Sequence, residues 1–357
     1  MTAQKTDNST KEFVTGWQSP ANIALVKYWG KTGNQMPINP SLSITLSFSY
    51  TETIVSARQK INTADEILLK YLFEGKEHSE FQVKTTIMLR KLTSELPFLK
   101  DFSLEIESLN TFPHSAGIAS SASSMSALAL CLLSIENQII GKEVDNTAFY
   151  KKASHIARLC SGSASRSVYG GFVLWGRSDF VNGSDNKYAI PLPEKPHPLF
   201  ENLCNSILII DKGKKTVSSS MGHEKMNHHY FKKGRIKQAN DRLFTIIKAI
   251  ERGDWDSFEQ VVENEALTLH GLMMSSEPGF VLIKANTINA IEKIIDFRKR
   301  QNLRMTFTID AGPNIHIIYP VEDQEKVKKF IDNELRAFCE DDLVIHDRIG
   351  NGPVRIK

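Results

Sequence analysis

The chain has 357 residues, of which 41% are hydrophobic and 24% charged. That composition suits a globular protein of about two domains, or one large unit with a substantial core, and excludes a disordered chain. Lys plus Arg number 44 against 41 Asp plus Glu, so the formal balance is only +3 and a clustered basic surface for nucleic acid is not expected.

In chain order, residues 1–15 read as a frayed tail, and MTAQKTDNSTKEF carries no apolar core of the kind a secretory leader needs. Residues 41–56, SLSITLSFSYTETIVS, alternate as a half-buried strand or hairpin does. Residues 82–95 predict an amphipathic helix with Val83, Ile87, Leu89 and Leu92 near one face, and 103–107 alternate again. A Pro/Gly/Ser-rich loop at 113–124 runs into the apolar MSALALCLL, a buried helix, and a further helix is expected across 146–160. The longest apolar run lies near Ala127–Leu133, short of the roughly 18 residues a membrane helix needs, so no membrane is expected. GGFVLWG (170–176) and SILIID (206–211) read as strands. Between them 182–200 is rich in Asn, Gly, Asp and Pro, which predicts a boundary between units 16–195 and 196–357. Helical periodicity follows through 226–269 and 281–300, then a strand at 305–310, a helix near 323–338 and a strand near 343–346. Strands and helices without a regular βαβ rhythm predict an α+β fold.

Cys131, Cys160, Cys204 and Cys339 lie far apart with no paired ligand spacing, so reduced thiols in a cytoplasmic protein are expected rather than a zinc site or disulfide framework. In PHSAGIASSASSMSALALCLL (113–133), Gly117 permits tight curvature and Ser120, Ser121, Ser123 and Ser124 precede a helix whose N-terminal N–H groups suit a phosphate. Serines capping a buried helix would leave the same trace. Asp310 ends an alternating strand in MTFTIDAGPNIHII (305–318), where a carboxylate can act as a general base or simply close an Asx-turn. Arg166, among small residues in SGSASRSVYGGFVLWG (161–176), offers a planar fork to a carboxylate or phosphate, or to a structural ion pair. ANIALVKYWGK (21–31) gathers Asn22, Lys27, Tyr28 and Lys31, and alternation would send both lysines to one side, as a polyanion or a solvated strand edge would require. GKKTVSSSMGHEKM (213–226) is a further anion-binding candidate or a surface loop, and His223, His228, His229 and His270 show no metal spacing and read as surface or packing residues.

Taken in order, ANIALVKYWGK, MPINPSLSITL (36–46), PHSAGIASSAS, SGSASRSVYGGFVLWG, VSSSMG (217–222) and FTIDAGPN (307–314) resemble the mevalonate diphosphate decarboxylases. These belong to the superfamily of galactokinase, homoserine, mevalonate and phosphomevalonate kinases, and the resemblance covers roughly 20–318. It implies a two-lobed fold with a cleft between the lobes, an N-terminal lobe for ATP and substrate, and a C-terminal lobe carrying the catalytic aspartate. It also implies ATP-dependent decarboxylation of mevalonate 5-diphosphate to isopentenyl diphosphate, with Mg2+ carried by ATP, and a homodimer. By the same likeness Asp310 orients or deprotonates the 3-hydroxyl, and Arg166 holds the substrate carboxylate with Ser163 alongside and Asn22 orienting it. Lys27, Tyr28 and Lys31 then meet the substrate, chiefly its diphosphate, as do Ser219 and Ser220. Gly117, Ala119, Ser120, Ser121 and Ser123 fall in the ATP phosphate loop, with Ser121 as its key serine. Ser165 stands where many relatives have Cys, Ser220 where some bacterial ones have Arg, and 139–155 reads as a longer surface elaboration. A mevalonate 5-phosphate decarboxylase, a mevalonate 3-kinase or a non-catalytic binding protein on the same fold are the competing implications.

Overall fold

Two long antiparallel strands, β1 (Glu12–Val26) and β2 (Ser41–Gln59), organise the first half of the chain. The structure, a computed structural model, describes residues 11–61, 67–113, 120–142, 147–213 and 219–357, without the side chains of Ser219 and Ser220. β1 starts at Glu12, inside the stretch expected to fray, because Phe13, Val14 and Thr15 pair with Ala57, Ser56 and Val55 and the Phe13 ring packs on Phe102. β2 is one strand rather than a hairpin. Its Ser41–Leu46 end is buried on both faces, and from Ser49 onward buried and half-exposed residues alternate. β3 (Leu69–Phe73), α1 (Ser79–Leu92) and β4 (Phe102–Asn110) follow. β4 runs antiparallel to the far half of β2 and parallel to β3. In α1 only Thr85, Leu89 and Leu92 are buried, whereas Val83 and Ile87 are exposed. The four are divided because Val83 and Ile87 fall on the opposite side of the helix from Leu89 and Leu92, whose face is shared by Phe81, packed on Tyr71 and Phe73 of β3, and buried Thr85.

α2 (Ser120–Ile140) and α3 (Thr147–Cys160) cover that sheet. Leu128, Leu132 and Ile135 of α2 and Phe149, Ala153 and Ile156 of α3 close a core with Trp17, Val55, Leu104 and Ile106. α2 is long and apolar enough to cross a membrane by composition, which the short run at Ala127–Leu133 had not suggested, and most of it lies inside this core. α3 is not a surface elaboration. Besides its core residues, Ser154 Oγ donates to the Ser165 carbonyl (2.8 Å) and accepts from the Ala189 N–H (2.8 Å). β5 (Phe172–Trp175) pairs with the near end of β2, and β6 (Ala189–Pro191) pairs with β5.

β7 (Leu203–Leu208) begins three residues earlier than expected and is the third strand of a four-stranded antiparallel sheet. Its order is β8 (Thr306–Ile309), β9 (Ile315–Pro320), β7, β10 (Val344–Arg348). Between β7 and β8 lie α4 (Ser219–Lys225), α5 (Lys232–Arg252), α6 (Trp255–Met274) and α7 (Ala285–Gln301). α5 ends at Gly253, whose φ of 76° is left-handed, and Asp254 caps α6 by accepting the Ser257 N–H (3.1 Å). The helix expected at 323–338 is α-helical only over Gln324–Phe330 and tightens and loosens into short irregular turns beyond. The mixed layers bear out the α+β reading.

Each sheet has a core of its own, and a third core joins the two. Leu243, Ile246 and Ile250 of α5 and Phe258 and Val262 of α6 pack on Ile23, Leu25, Leu42, Ile44, Phe172 and Leu174 of the first sheet. The chain also returns: β11 (Val354–Arg355) pairs with β1 at Gln18 and Trp17. Where β2 changes partner from β5 to β4, Asp347 of β10 takes the place of a neighbouring strand. Its Oδ1 accepts the N–H groups of Ser47 and Phe48 (both 2.9 Å) and its Oδ2 that of Ser49 (2.7 Å).

Candidate active site

The end of β1 is irregular. Its register to β2 shifts between Pro20 and Asn22 and again between Ala24 and Val26, the kind of bulge that re-aims side chains near reactive sites. The strand stops at Val26, so alternation no longer governs Lys27 and Lys31, and the two lysines part company. Lys27 turns inward and its ammonium, 2% exposed, meets Asp310 Oδ1 at 2.7 Å, while the Asp310 side chain remains 29% exposed. Burial lowers the Lys27 pKa from its ordinary value, and the Asp310 charge pulls it back up. Lys31 is half-buried, donates to Gln35 Oε1 (2.9 Å), and is likewise lowered by burial, with Glu224 opposing.

The backbone of Lys27 is held by side chains rather than by a strand ladder. Its N–H donates to Glu265 Oε2 (2.7 Å), and its carbonyl accepts from Arg235 Nη2 (2.9 Å) and Asn39 Nδ2 (3.0 Å). Glu265 is fully buried and takes both Arg235 terminal nitrogens (2.6 and 2.7 Å) and Arg242 Nη1 (2.8 Å). Asp310, just past β8, is fixed through its carbonyl by His270 Nε2 (3.0 Å). Because a carbonyl only accepts, His270 carries its proton on Nε2.

Arg166 ends a short turn after α3 and is buried at 3% exposure. Its Nε donates to Asn22 Oδ1 (3.2 Å) and its Nη1 to Ser41 Oγ (2.6 Å), with the guanidinium 5.8 Å from the Trp175 ring. Asn22 Nδ2 in turn donates to the Ser163 carbonyl (3.2 Å) and Ser167 Oγ (2.8 Å). No carboxylate among the described residues forms an ion pair with Arg166; burial lowers its pKa to about 10, with Asp310 and Tyr28 opposing through space, so it stays charged at neutral pH. Tyr28 lies between Trp175 (4.6 Å between centroids) and His223 (4.2 Å), and its hydroxyl is buried without a hydrogen-bond partner among the described residues. A Cβ at Gly162 would come within 2.9 Å of that hydroxyl, so glycine there lets the ring approach the Arg166 turn. Burial raises the Tyr28 pKa.

His223 is buried, the packing alternative of the two the sequence left open. Its Nδ1 accepts the Gly30 N–H (2.9 Å), and burial, with Lys31 and Arg166 adding to it, lowers its pKa to about 3. Gly30 has φ of 97°, and a side chain there would strike Ile38. Ser163 is half-buried; Ser219 and Ser220 open α4 but their side chains lie outside the described residues, as do Gly117 and Ala119 entirely. Ser120 and Ser121 stand at the start of α2, with Ser121 exposed. Ser123 points into the fold and not to solvent. It is fully buried, 2.6 Å from Thr51 Oγ1 and donating to the Ser120 carbonyl (3.2 Å), because a residue three positions into α2 falls on the sheet-facing side. A chain of hydroxyls ties α2 to the Arg166 turn: Ser126 Oγ accepts from Ser19 Oγ (2.6 Å), which is 2.9 Å from the Ser167 carbonyl.

The structure thus joins Asn22, Lys27, Tyr28, Ser163, Arg166 and Asp310 into one connected cluster. Sequence reading missed Ser41, Asn39, Arg235, Glu265 and the contact of His270. Glu265 did carry a signal, since its helical neighbours Val261, Val262, Ala266 and Leu269 are all apolar.

Residues 19–187 match the family model for the diphosphomevalonate decarboxylase-like N-terminal domain, and 206–353 that for the mevalonate 5-diphosphate decarboxylase C-terminal domain. The diphosphomevalonate decarboxylase of Debaryomyces hansenii is 32% identical over 323 residues, spanning 87% of this chain and 80% of that protein. The Homo sapiens enzyme of that name is 30% identical over 325 residues, 85% of this chain and 76% of its own. Among solved structures, mevalonate diphosphate decarboxylase from Staphylococcus aureus superposes with a TM-score of 0.82 at 27% identity over 97% of this chain and 99% of that one. MDDEF in complex with MVAPP, AMPPCP and magnesium gives 0.81 at 26% identity, over 97% of this chain and all of that one. On both halves of its sequence and on its fold, the chain belongs to the diphosphomevalonate decarboxylase family.

Proposed function

We propose that this chain converts mevalonate 5-diphosphate, with ATP, into isopentenyl diphosphate, CO2, ADP and phosphate. What carries the reading is the pairing of a half-exposed carboxylate, Asp310 on buried Lys27, with a buried arginine that lacks a counter-ion. Arg166 commits Nε and Nη1 to Asn22 and Ser41, and its Nη2 has no hydrogen-bond partner among the described residues. That nitrogen suits the substrate carboxylate, and Asp310 the proton of the tertiary 3-hydroxyl. A tertiary hydroxyl leaves poorly, so the oxygen first takes the terminal phosphoryl group of ATP. The C3–O bond then breaks with its electron pair on phosphate, and the pair of the bond to the carboxylate forms the double bond as CO2 departs. Positive character builds at C3, so Arg166 must position the carboxylate without drawing electrons from it.

The nucleotide phosphates fit the start of α2, a 21-residue helix whose first N–H groups and exposed Ser121 offer donors there. Magnesium binds through substrate phosphates, waters and one or two carboxylates, and the half-exposed Asp310 is an oxygen donor of that kind. When bound, the ion neutralises phosphate charge during transfer. By the family resemblance, Lys31 and Tyr28 are assigned to the 5-diphosphate, and the half-buried Lys31 ammonium supplies charge of the right sign. All four cysteines are free thiols, which supports a reducing, cytoplasmic setting. The homodimer that the resemblance implies is carried forward with it, to be checked by sedimentation of the purified chain.

The test is purified protein with ATP and Mg2+, offered mevalonate, its 5-phosphate and its 5-diphosphate separately, with ADP and CO2 both measured. ADP and CO2 from the diphosphate are expected. CO2 from the monophosphate alone would move the substrate, ADP without CO2 would make the chain a 3-kinase, and neither product would leave a binding protein.

A further inference from the structure

Two backbone groups set the spacing of the Lys27–Asp310 pair, and one helix holds both. Glu265 and His270 sit five residues apart on α6, about 7.5 Å along its axis at ~1.5 Å per residue. Glu265 accepts the Lys27 N–H and His270 donates to the Asp310 carbonyl. Neither side chain touches the Lys27 ammonium or the Asp310 carboxylate in these contacts; both act on the main chain from which those groups hang. Arg235 completes the grip by spanning Glu265 and the Lys27 carbonyl.

We infer that α6 is the positioning element of the reaction, with Glu265, His270 and Arg235 as positioning residues that fix where the Lys27–Asp310 pair meets the substrate. The inference rests on the reading of that pair as catalytic. Lys27 lies beyond the end of β1, so no ladder defines it, and side chains alone anchor its N–H and carbonyl. A buried carboxylate between two arginines is a costly way to join helices, since well-packed apolar residues of similar volume commonly serve stability as well or better. What apolar residues cannot do is hold a single backbone N–H and carbonyl at hydrogen-bond distance. Burial supports the role: Glu265 is 0% and His270 2% exposed, so both contacts persist without competition from water.

The experiment uses the full chain in steady state with ATP, Mg2+ and mevalonate 5-diphosphate, alongside thermal melts. His270→Leu removes the donor at similar volume, and His270→Gln returns an N–H able to reach the Asp310 carbonyl. The expected result is kcat down about 10- to 100-fold in His270→Leu, since small misplacements cost that much, with KM for ATP unchanged, and recovery of most of kcat in His270→Gln. Glu265→Gln and Arg235→Lys, either of which weakens the clamp on Lys27, should repeat the kcat loss, so the inference stays testable if His270→Leu does not fold. Lower melting temperatures with wild-type kcat would overturn it, as would a His270→Gln no better than His270→Leu. Absence of turnover in the wild-type chain would instead overturn the catalytic reading itself.

Discussion

The candidate site and the helix pair behind it each hold an arginine that is 3% exposed, and the two are used in opposite ways. Arg235, between α5 and α6, is bidentate to Glu265 and shares that carboxylate with Arg242. Among the described residues Arg166 has only neutral hydrogen-bond partners, Asn22 and Ser41, and it feels Asp310 through space. A buried ion with its counter-ion can be part of the frame. A buried ion without one is destabilising, and an anionic ligand that completes the pair relieves that cost. Arg158, 1% exposed, shows a neutral solution, with the Lys187 and Asn34 carbonyls and His155 taking all three of its nitrogens. The lesson is that burial and charge together do not mark a site. A buried cation with a donor still to spend does, as Arg166 has at Nη2 among the described residues.

The largest effect is expected at the carboxylate facing that unpaired cation. Asp310→Asn should lower kcat by about 10²–10⁴-fold while folding and nucleotide binding stay near normal, as judged by turnover, a thermal melt and an ATP-analogue titration. Near-normal turnover in this variant would remove the functional half of the contrast. Truncating the two arginines sharpens it. Arg235→Leu leaves Glu265 with Arg242 alone and should cost about 3–5 kcal/mol in denaturant unfolding. Arg166→Leu should cost little stability or gain some, yet reduce kcat/KM for the diphosphate substrate by at least about 10²-fold. Reversed outcomes would break the comparison.

A smaller effect separates the regions by pH. Burial lowers the pKa of His223 to about 3, and of His270 and His316 to about 4, from 6.5. Their folded values are depressed, so between about pH 6.5 and 4 the unfolded chain binds more protons. Stability is therefore full above 6.5 and is lost as pH falls, by up to about 1.4 kcal/mol per pH unit for each histidine. His316 lies against Asn205 and feels Asp310 and Lys27 through space, and His316→Gln should flatten the slope. Unchanged slope would show that this ring is not buried neutral. Smallest is Ser123→Ala, expected to cost about 1 kcal/mol with KM for ATP unchanged, whereas Ser121→Ala should raise that KM.

Local rules made much of this visible in advance. The alternation of 41–56 is β2, and the serine run before MSALALCLL is the start of α2. Composition around Asp310 and Arg166 marked both as chemically interesting without choosing between turn, ion pair and site. That choice is made by tertiary pairing: Asp310 meets a lysine 283 positions away, and Arg166 an asparagine 144 away. The lysine pattern misled because periodicity holds only while a strand lasts, and β1 stops one residue before Lys27. Val83 and Ile87 misled because, at ~100° per residue, they stand opposite Leu89 and Leu92, and only the face of the latter meets the sheet. His270 looked like any packing histidine because its one specific act is a bond to a main-chain carbonyl, which leaves no trace in sequence.

The Asp347 carboxylate, set into the gap in β2, also binds the two sheets into one fate. If β10 pulled away, the N–H groups of Ser47, Phe48 and Ser49 would lose their acceptor in the middle of a strand otherwise paired on both sides. With α5 and α6 already packed under the first sheet, neither half can melt alone without exposing the other's interior. The chain behaves in unfolding as a single cooperative unit, and amide exchange at Ser47–Ser49 reads the integrity of a sheet to which those residues do not belong.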